Sequence, residues 1–288
     1  MAEATPRRLY QLRPVADQHR DESRSFILEA ANAVSPGKAI ILGAGECTEI
    51  PLQELVERFD HLTLNDFDAG IVEAAVVACD LNEQQIDKTE IEATDLTGLA
   101  DIVVSAVAKA VEMATDPQSA LAAMADAVDQ ARPVLVPIAG PFDLVVASCV
   151  LGQLHVMALH RAQAEFLKRF PGQEALLQTI QVWTEALERM ARRMEEKFID
   201  HLLQWTAPTG RIYLSETVRI AFLEPGEQGG WQSEGNYRML KSARLVDYLD
   251  ERFVIESQRG WQWVFKPPQK KGDRGRLFEV QAMVLTKR

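Results

Sequence analysis

Cysteine, long apolar runs and positive charge are what this 288-residue chain has least of. Its three cysteines, Cys47, Cys79 and Cys149, are too widely spaced for a metal ligand set and too few for an even disulfide framework. No metal is expected, and a reducing, cytoplasmic compartment is the natural setting. No run of eighteen apolar residues occurs, so no membrane span is expected. The most apolar helical stretch, 102–111, is short and carries Lys109. The opening MAEATPRRLYQLRP lacks the apolar segment of a secretion signal. Lys and Arg number 31 against 42 Asp and Glu, a formal net charge of −11. Such a balance disfavours nucleic acid as a partner, because phosphate binding needs clustered cations.

What is present alternates between two periods. Phe26, Ile27, Ala30 and Ala31 recur at helical spacing and predict a helix that stops near Ser35-Pro36-Gly37. The continuous apolar run Lys38-Ala39-Ile40-Ile41-Leu42 then ends at Gly43-Ala44-Gly45, as a buried parallel strand does. Ile50, Leu52, Leu55, Val56 and Phe59 predict a helix with Pro51 in its first turn. A second strand, 61–64, leads into Asn65-Asp66-Phe67-Asp68, and a helix follows over about 69–80. A weaker strand, 90–93, ends at Thr94-Asp95-Leu96.

The Ala-rich interval 97–140 predicts one or two helices, with a break at Asp116-Pro117. A fourth strand spans 142–148. From Glu174 to Trp205 apolar residues step by three or four, as in one long amphipathic helix. A fifth strand covers 211–217, and strands at 253–257 and 277–285 form a terminal antiparallel pair with no helix between them. The glycine-rich loop 224–235 reads as a mobile surface segment. The fold class is therefore α/β: a doubly wound, mostly parallel seven-stranded sheet with a C-terminal antiparallel pair and helical insertions. The expected division is an N-terminal helical segment, 1–36, placed to act as a lid, and a main domain, 37–288, with insertions near 97–140 and 153–206.

One constellation carries chemistry. A ligand lying across strand ends needs close backbone approach, which Gly43 and Gly45 permit. Asp66 follows Gly43 by 23 residues and can accept two ribose hydroxyls of a nucleoside. Asp95, at the end of the third strand, is placed to accept an adenine amino hydrogen. Each feature alone also describes a tight turn or a helix cap.

On ILGAG at 41–45, LTLNDFD at 62–68, ATDL at 93–96, FDLVVASCVLGQL at 142–154 and GRIYLSET at 210–217, the chain resembles the class I S-adenosylmethionine (AdoMet) dependent methyltransferases. The resemblance covers about 38–288 and includes the terminal antiparallel pair. It implies AdoMet around Leu42, Gly43, Ala44 and Gly45, ribose on Asp66, adenine near Phe67, Asp95 and Leu96, and the reactive end near Ser148 and Cys149. The chain departs from the family pattern at Ile41, where an acidic residue is usual, at Cys47, where a third glycine is usual, and in its long interval after Asp95. Dinucleotide dehydrogenases are the main rival, although they prefer a small residue where Thr48 stands.

Methyl transfer from a sulfonium is an in-line displacement that the protein aligns and sometimes assists with a base. His155 and Glu216 are the candidate bases, with His160 and His201 behind them. Cys149 lacks the preceding proline of cytosine-carbon methyltransferases, so it reads as a packed cysteine rather than a nucleophile. Tyr10, Trp231, Tyr237 and Arg238 are candidate substrate contacts. Lys266, Lys270, Lys271, Arg274 and Arg276 form a basic hairpin loop that a solvated tip explains equally well. The leading expectation is methylation of oxygen or nitrogen on a small molecule. The alternatives are a protein or RNA methyltransferase, an NAD-binding oxidoreductase, and a non-catalytic nucleoside-cofactor-binding protein.

Overall fold

The computed structural model describes residues 9–10, 15–134, 136, 138–225, 231–233, 238–239, 248–268 and 273–288. Its contacts divide the chain into two compact units. The first holds residues 1–92, 141–149 and 206–288; the second holds 93–140 and 150–205. The two expected insertions thus come together as one helical unit. The expected N-terminal segment has no separate core.

The sheet unit is built on β2 (Lys38–Leu42), β3 (His61–Asp66), β4 (Thr89–Ala93), β5 (Phe142–Ser148), β6 (Thr206–Pro225), β9 (Phe253–Lys266) and β10 (Gly275–Lys287). Their spatial order is β4-β3-β2-β5-β6-β10-β9. β2 runs parallel to β3 and β5, and β5 parallel to β6. β10 is inserted antiparallel between β6 and β9. The doubly wound sheet with a terminal antiparallel pair is therefore observed, and the chain order reverses between β2 and β5.

Ala39, Ile40, Ile41 and Leu42 are fully buried, as expected of a central parallel strand. On one sheet face Ile41, Leu64, Leu144, Val146 and Tyr213 pack with Phe26, Ile27 and Ala30 of α1 (Val15–Asn32) and with α2 (Leu52–Arg58). α3 (Ala69–Ala78) follows β3, opened by the Asp68 carboxylate accepting from Gly70 N–H. α4 (Glu83–Asp87) is one capped turn before β4.

β6 runs 20 residues, well past the expected end at Thr217. Its outer part pairs with β7 (Trp231–Ser233) and β8 (Arg238–Met239), and β7 pairs with β1 (Leu9–Tyr10). The segment expected to be a mobile loop thus contributes a described strand.

In the helical unit, α5 (Ala100–Met113) and α6 (Pro117–Gln130) are separated where Asp116-Pro117 predicts. Asp116 and Ser119 form a capping box, and Pro117 opens the helix. α7 (Val156–Arg169) precedes α8 (Glu174–Thr179) and α9 (Gln181–Trp205). The single long helix expected over 174–205 is broken at Ile180, whose φ of −81° and ψ of 108° are extended. From α9, Arg193 donates to the carbonyls of Val128, Asp129 and Ala131, covering the open end of α6. Arg189 binds the Asp129 carboxylate through two nitrogens at 3.0 and 2.6 Å, which holds its pKa below the ordinary carboxylate value. Among the described residues no helix is long and apolar enough to cross a membrane.

Candidate functional site

The carboxyl ends of β2, β3, β5 and β6 gather most of the sequence-selected residues of the sheet unit. The turn after β2 is left-handed at alternate positions: φ is +66° at Gly43, +52° at Gly45 and +53° at Cys47. The conformation explains why the third position suits glycine; Cys47 holds it at a cost of about 1 kcal/mol. A Cβ added at Gly45 would meet nothing within 4 Å, so the turn borders open space. Leu42 is fully buried.

Two bonds tie this turn to β3. Ala44 N–H donates to Asn65 C=O, and Gly45 N–H donates to Asp66 Oδ2, each at 2.9 Å. Asp66 Oδ1 accepts from Asp68 N–H at 3.0 Å. An ionised carboxylate offers about four acceptor positions, so about two on Asp66 remain for a ligand. Beside it Phe67 is 43% exposed, an open aromatic face at the strand end.

Over β5 and β6 lies a chain of hydroxyls that sequence reasoning only half anticipated. Ser148 Oγ donates to Glu49 Oε1 at 3.3 Å and lies 3.3 Å from Ser215 Oγ. Thr48 Oγ1 donates to Glu49 Oε2 at 2.9 Å. Cys149, buried and left-handed at φ +51°, turns its N–H to the carbonyl and hydroxyl of Ser215 at 2.9 and 3.2 Å. Glu49 and Ser215 went unnoticed in the sequence, where neither belongs to a periodic pattern.

The charge at this end of the sheet is mainly negative. Burial pushes the Cys47 thiol up to about 12, and Cys79, Glu49 and Asp66 act in the same sense while Arg24 opposes them. Cys47 is therefore a packed thiol, not a nucleophile. Glu216 is also buried. Strand alternation turns it to the sheet face opposite Ser215, in register with Gln281 of β10.

Asp95 serves the backbone at the start of α5. Its Oδ1 accepts from Thr97 N–H and Oγ1–H at 2.9 and 2.7 Å, and its Oδ2 from Leu99 and Ala100 N–H at 3.0 and 2.8 Å. These four bonds engage both carboxylate oxygens in opening α5. Asp95 and the buried Leu96 belong to the helical unit, as does His155, which precedes α7 without capping it. In the same unit His201 is fully buried, its Nδ1 3.2 Å from the Leu96 carbonyl; burial lowers its pKa. His160 is exposed on α7.

Three of the four candidate substrate contacts lie on described strands. Tyr10 of β1 sits opposite Trp231 of β7, and Arg238 of β8 opposite Ile220 of β6, by backbone register. Tyr237 lies outside the described residues.

No protein-family model matches the chain, and no curated protein matches it. Solved structures with a similar course include an S-adenosylmethionine-dependent methyltransferase from Clostridium acetobutylicum (10% identity, 94% of this chain and 91% of that one, TM-score 0.42). A SAM-dependent methyltransferase from Leishmania major is 15% identical over 95% of this chain and 73% of its own, with a TM-score of 0.41. Magnesium protoporphyrin IX methyltransferase from Synechocystis, with bound SAM, is 13% identical over 92% and 78%, with a TM-score of 0.40.

Proposed function

We propose that this chain is an AdoMet-dependent methyltransferase that moves a methyl group to oxygen or nitrogen of a small molecule. The observation that carries the reading is Asp66, fixed on Gly45 N–H at the strand-order reversal with acceptor capacity to spare. In open α/β sheets ligands lie beyond the carboxyl ends of the strands at such a reversal. Two remaining acceptor positions suit the two hydroxyls of a ribose, and the space beside Gly45 admits a ligand without steric conflict. The exposed Phe67 ring suits the adenine face.

Charge and helix placement favour AdoMet over a dinucleotide. The sulfonium and ammonium of AdoMet are cationic, whereas a pyrophosphate is anionic. Glu49 and Asp66 flank the turn, so they attract the first and repel the second. The following helix begins only at Leu52, with Glu54 in its first turn. It therefore places no free N–H groups at the glycines, where a dinucleotide phosphate needs them. The antiparallel β10 between β6 and β9 agrees with the resemblance drawn from the sequence.

When bound, AdoMet supplies the activated methyl group. Asp66 would orient its ribose, the Gly43–Gly45 backbone would admit its chain, and Ser148 and Cys149 border the end of β5 towards which that chain would run. Glu216 and His155 are the candidate bases for a hydroxyl acceptor, with Glu216 needing the sheet face on which it is buried to be reached by the substrate. The net charge of −11 favours a small acceptor over RNA, whose phosphates need clustered cations. Calorimetric titration of AdoMet into wild type and Asp66→Ala tests the reading. At least a tenfold loss is expected from removing a charged acceptor; unchanged affinity in the variant would reject the ribose assignment.

A further inference from the structure

A helix on the surface of a globular protein normally turns an apolar stripe inward and polar residues outward. α3, with the sequence AGIVEAAVVA, does not. Val72 and Ala75 are buried against the sheet. Gly70, Ile71, Ala74, Val77 and Ala78 are all exposed, Val77 to 80% and Ile71 to 42%. At 3.6 residues per turn these five fall within an arc of about 120°. The outward face of α3 is therefore apolar across its whole width. Its shape is also specific. Gly70, Ala74 and Ala78 recur every fourth residue, with the larger Ile71 and Val77 on either side. A shallow groove of this kind takes one row of side chains from another helix.

The charge around the groove selects the partner. From 59 to 87 the chain has seven Asp or Glu and no Lys or Arg. Asp68 caps the start of α3, Glu73 borders the apolar arc, and Asp80 follows its end. None of these three carboxylates is held in an ion pair among the described residues. An anionic membrane surface is repelled by such a rim. So is a second copy of this chain, whose net charge is −11 and whose own acids would meet these. The described part of the N-terminal segment, Leu9–Tyr10, is paired with β7.

We propose that α3 is a docking surface for a basic amphipathic helix of another protein, which lays its apolar stripe on Ile71, Ala74 and Val77 and its cations on Glu73 and Asp80. The inference is independent of the AdoMet reading, and none of its readouts uses AdoMet.

Fluorescence anisotropy of labelled peptides titrated with the full-length protein tests it. The probe is an amphipathic helix of about 18 residues with leucine on one face and lysine on the other. The control carries glutamate in place of lysine. Wild type should bind the lysine peptide saturably, at least about tenfold more tightly than the control, and less tightly as salt rises. Val77→Ser should weaken the lysine peptide roughly tenfold, and Glu73→Gln roughly two- to fivefold. Val77 is so exposed that its loss should leave the thermal melt unchanged. The proposal is overturned if the two peptides bind equally, if neither binds, or if Val77→Ser keeps wild-type affinity. It is equally overturned if light scattering finds a wild-type dimer that Val77→Arg makes monomeric, because a second copy then covers the face.

Discussion

Gly45 N–H donates to the Asp66 carboxylate at 2.9 Å, joining the turn after the first core strand to the end of the second. The bond makes a prediction about Gly45→Ala. The backbone there is left-handed at φ +52°, so alanine should lower stability by about 1 kcal/mol. The free protein has open space where the methyl would go. Any loss of AdoMet affinity well beyond that small strain therefore marks the space as the ligand's. Denaturant titration and calorimetry on the same variant check the two effects separately.

Asp95 should behave oppositely to Asp66. Its carboxylate accepts four hydrogen bonds from the turn and start of α5. Asp95→Ala is expected to cost about 1–2 kcal/mol of stability, the scale of a lost N-cap. Asp95→Asn should restore part of it, because the amide oxygen still accepts. A variant as stable as wild type would contradict the capping role.

His19 gives the fold a pH dependence. Its Nδ1 accepts from Trp261 Nε1–H at 2.8 Å and its ring stacks on Trp263 at 4.0 Å. Burial lowers its pKa from 6.5 to about 4. The unfolded chain therefore takes up a proton near pH 6.5 that the folded chain refuses until about pH 4. The stabilisation is complete above pH 6.5 and is lost as pH falls towards 4, by at most about 1.4 kcal/mol per pH unit. His19→Gln should show a shallower fall of Tm with acidification across that window. Equal slopes in the two proteins would contradict the assignment.

Thiol reactivity should rank the cysteines. Cys47 is buried with its pKa pushed up to about 12, whereas Cys79 is half-exposed. An alkylating reagent at pH 8 is expected to modify Cys79 first and leave Cys47 intact until the protein unfolds. Peptide mapping by mass spectrometry reads the order directly. Early labelling of Cys47 would contradict the packed-thiol account.

Glu216→Gln tests the proposed base. General-base assistance is worth about 10²–10⁴ in rate. A fall of that size in kcat, with AdoMet affinity unchanged, is expected for a hydroxyl acceptor. An unchanged kcat would remove Glu216 from the chemistry.

What the sequence displayed, and what it hid, follows from where the physical signal lies. β2 and β5 are legible because burial on both faces demands continuous apolar runs, and Asp116-Pro117 is legible because capping and fixed φ are local properties. The break at Ile180 is not: the surrounding residues include neither Gly nor Pro, and the apolar stepping runs through it. β6 continues beyond Thr217 because β10, β8 and β7 pair with it, and those partners are distant in sequence. Asp66 was visible as a carboxylate at a strand end. Glu49 was not, since a charged residue in a loop reveals its neighbours only after folding. Asp95 looked like a ligand contact for the same reason that it is a cap: both tasks place a carboxylate where a strand gives way to a helix.

The most direct test of the central claim is calorimetric titration of the wild-type protein with AdoMet and, separately, with NAD. The account predicts saturable binding of AdoMet at one site per chain and no binding of NAD. Saturable binding of NAD with no binding of AdoMet would contradict it.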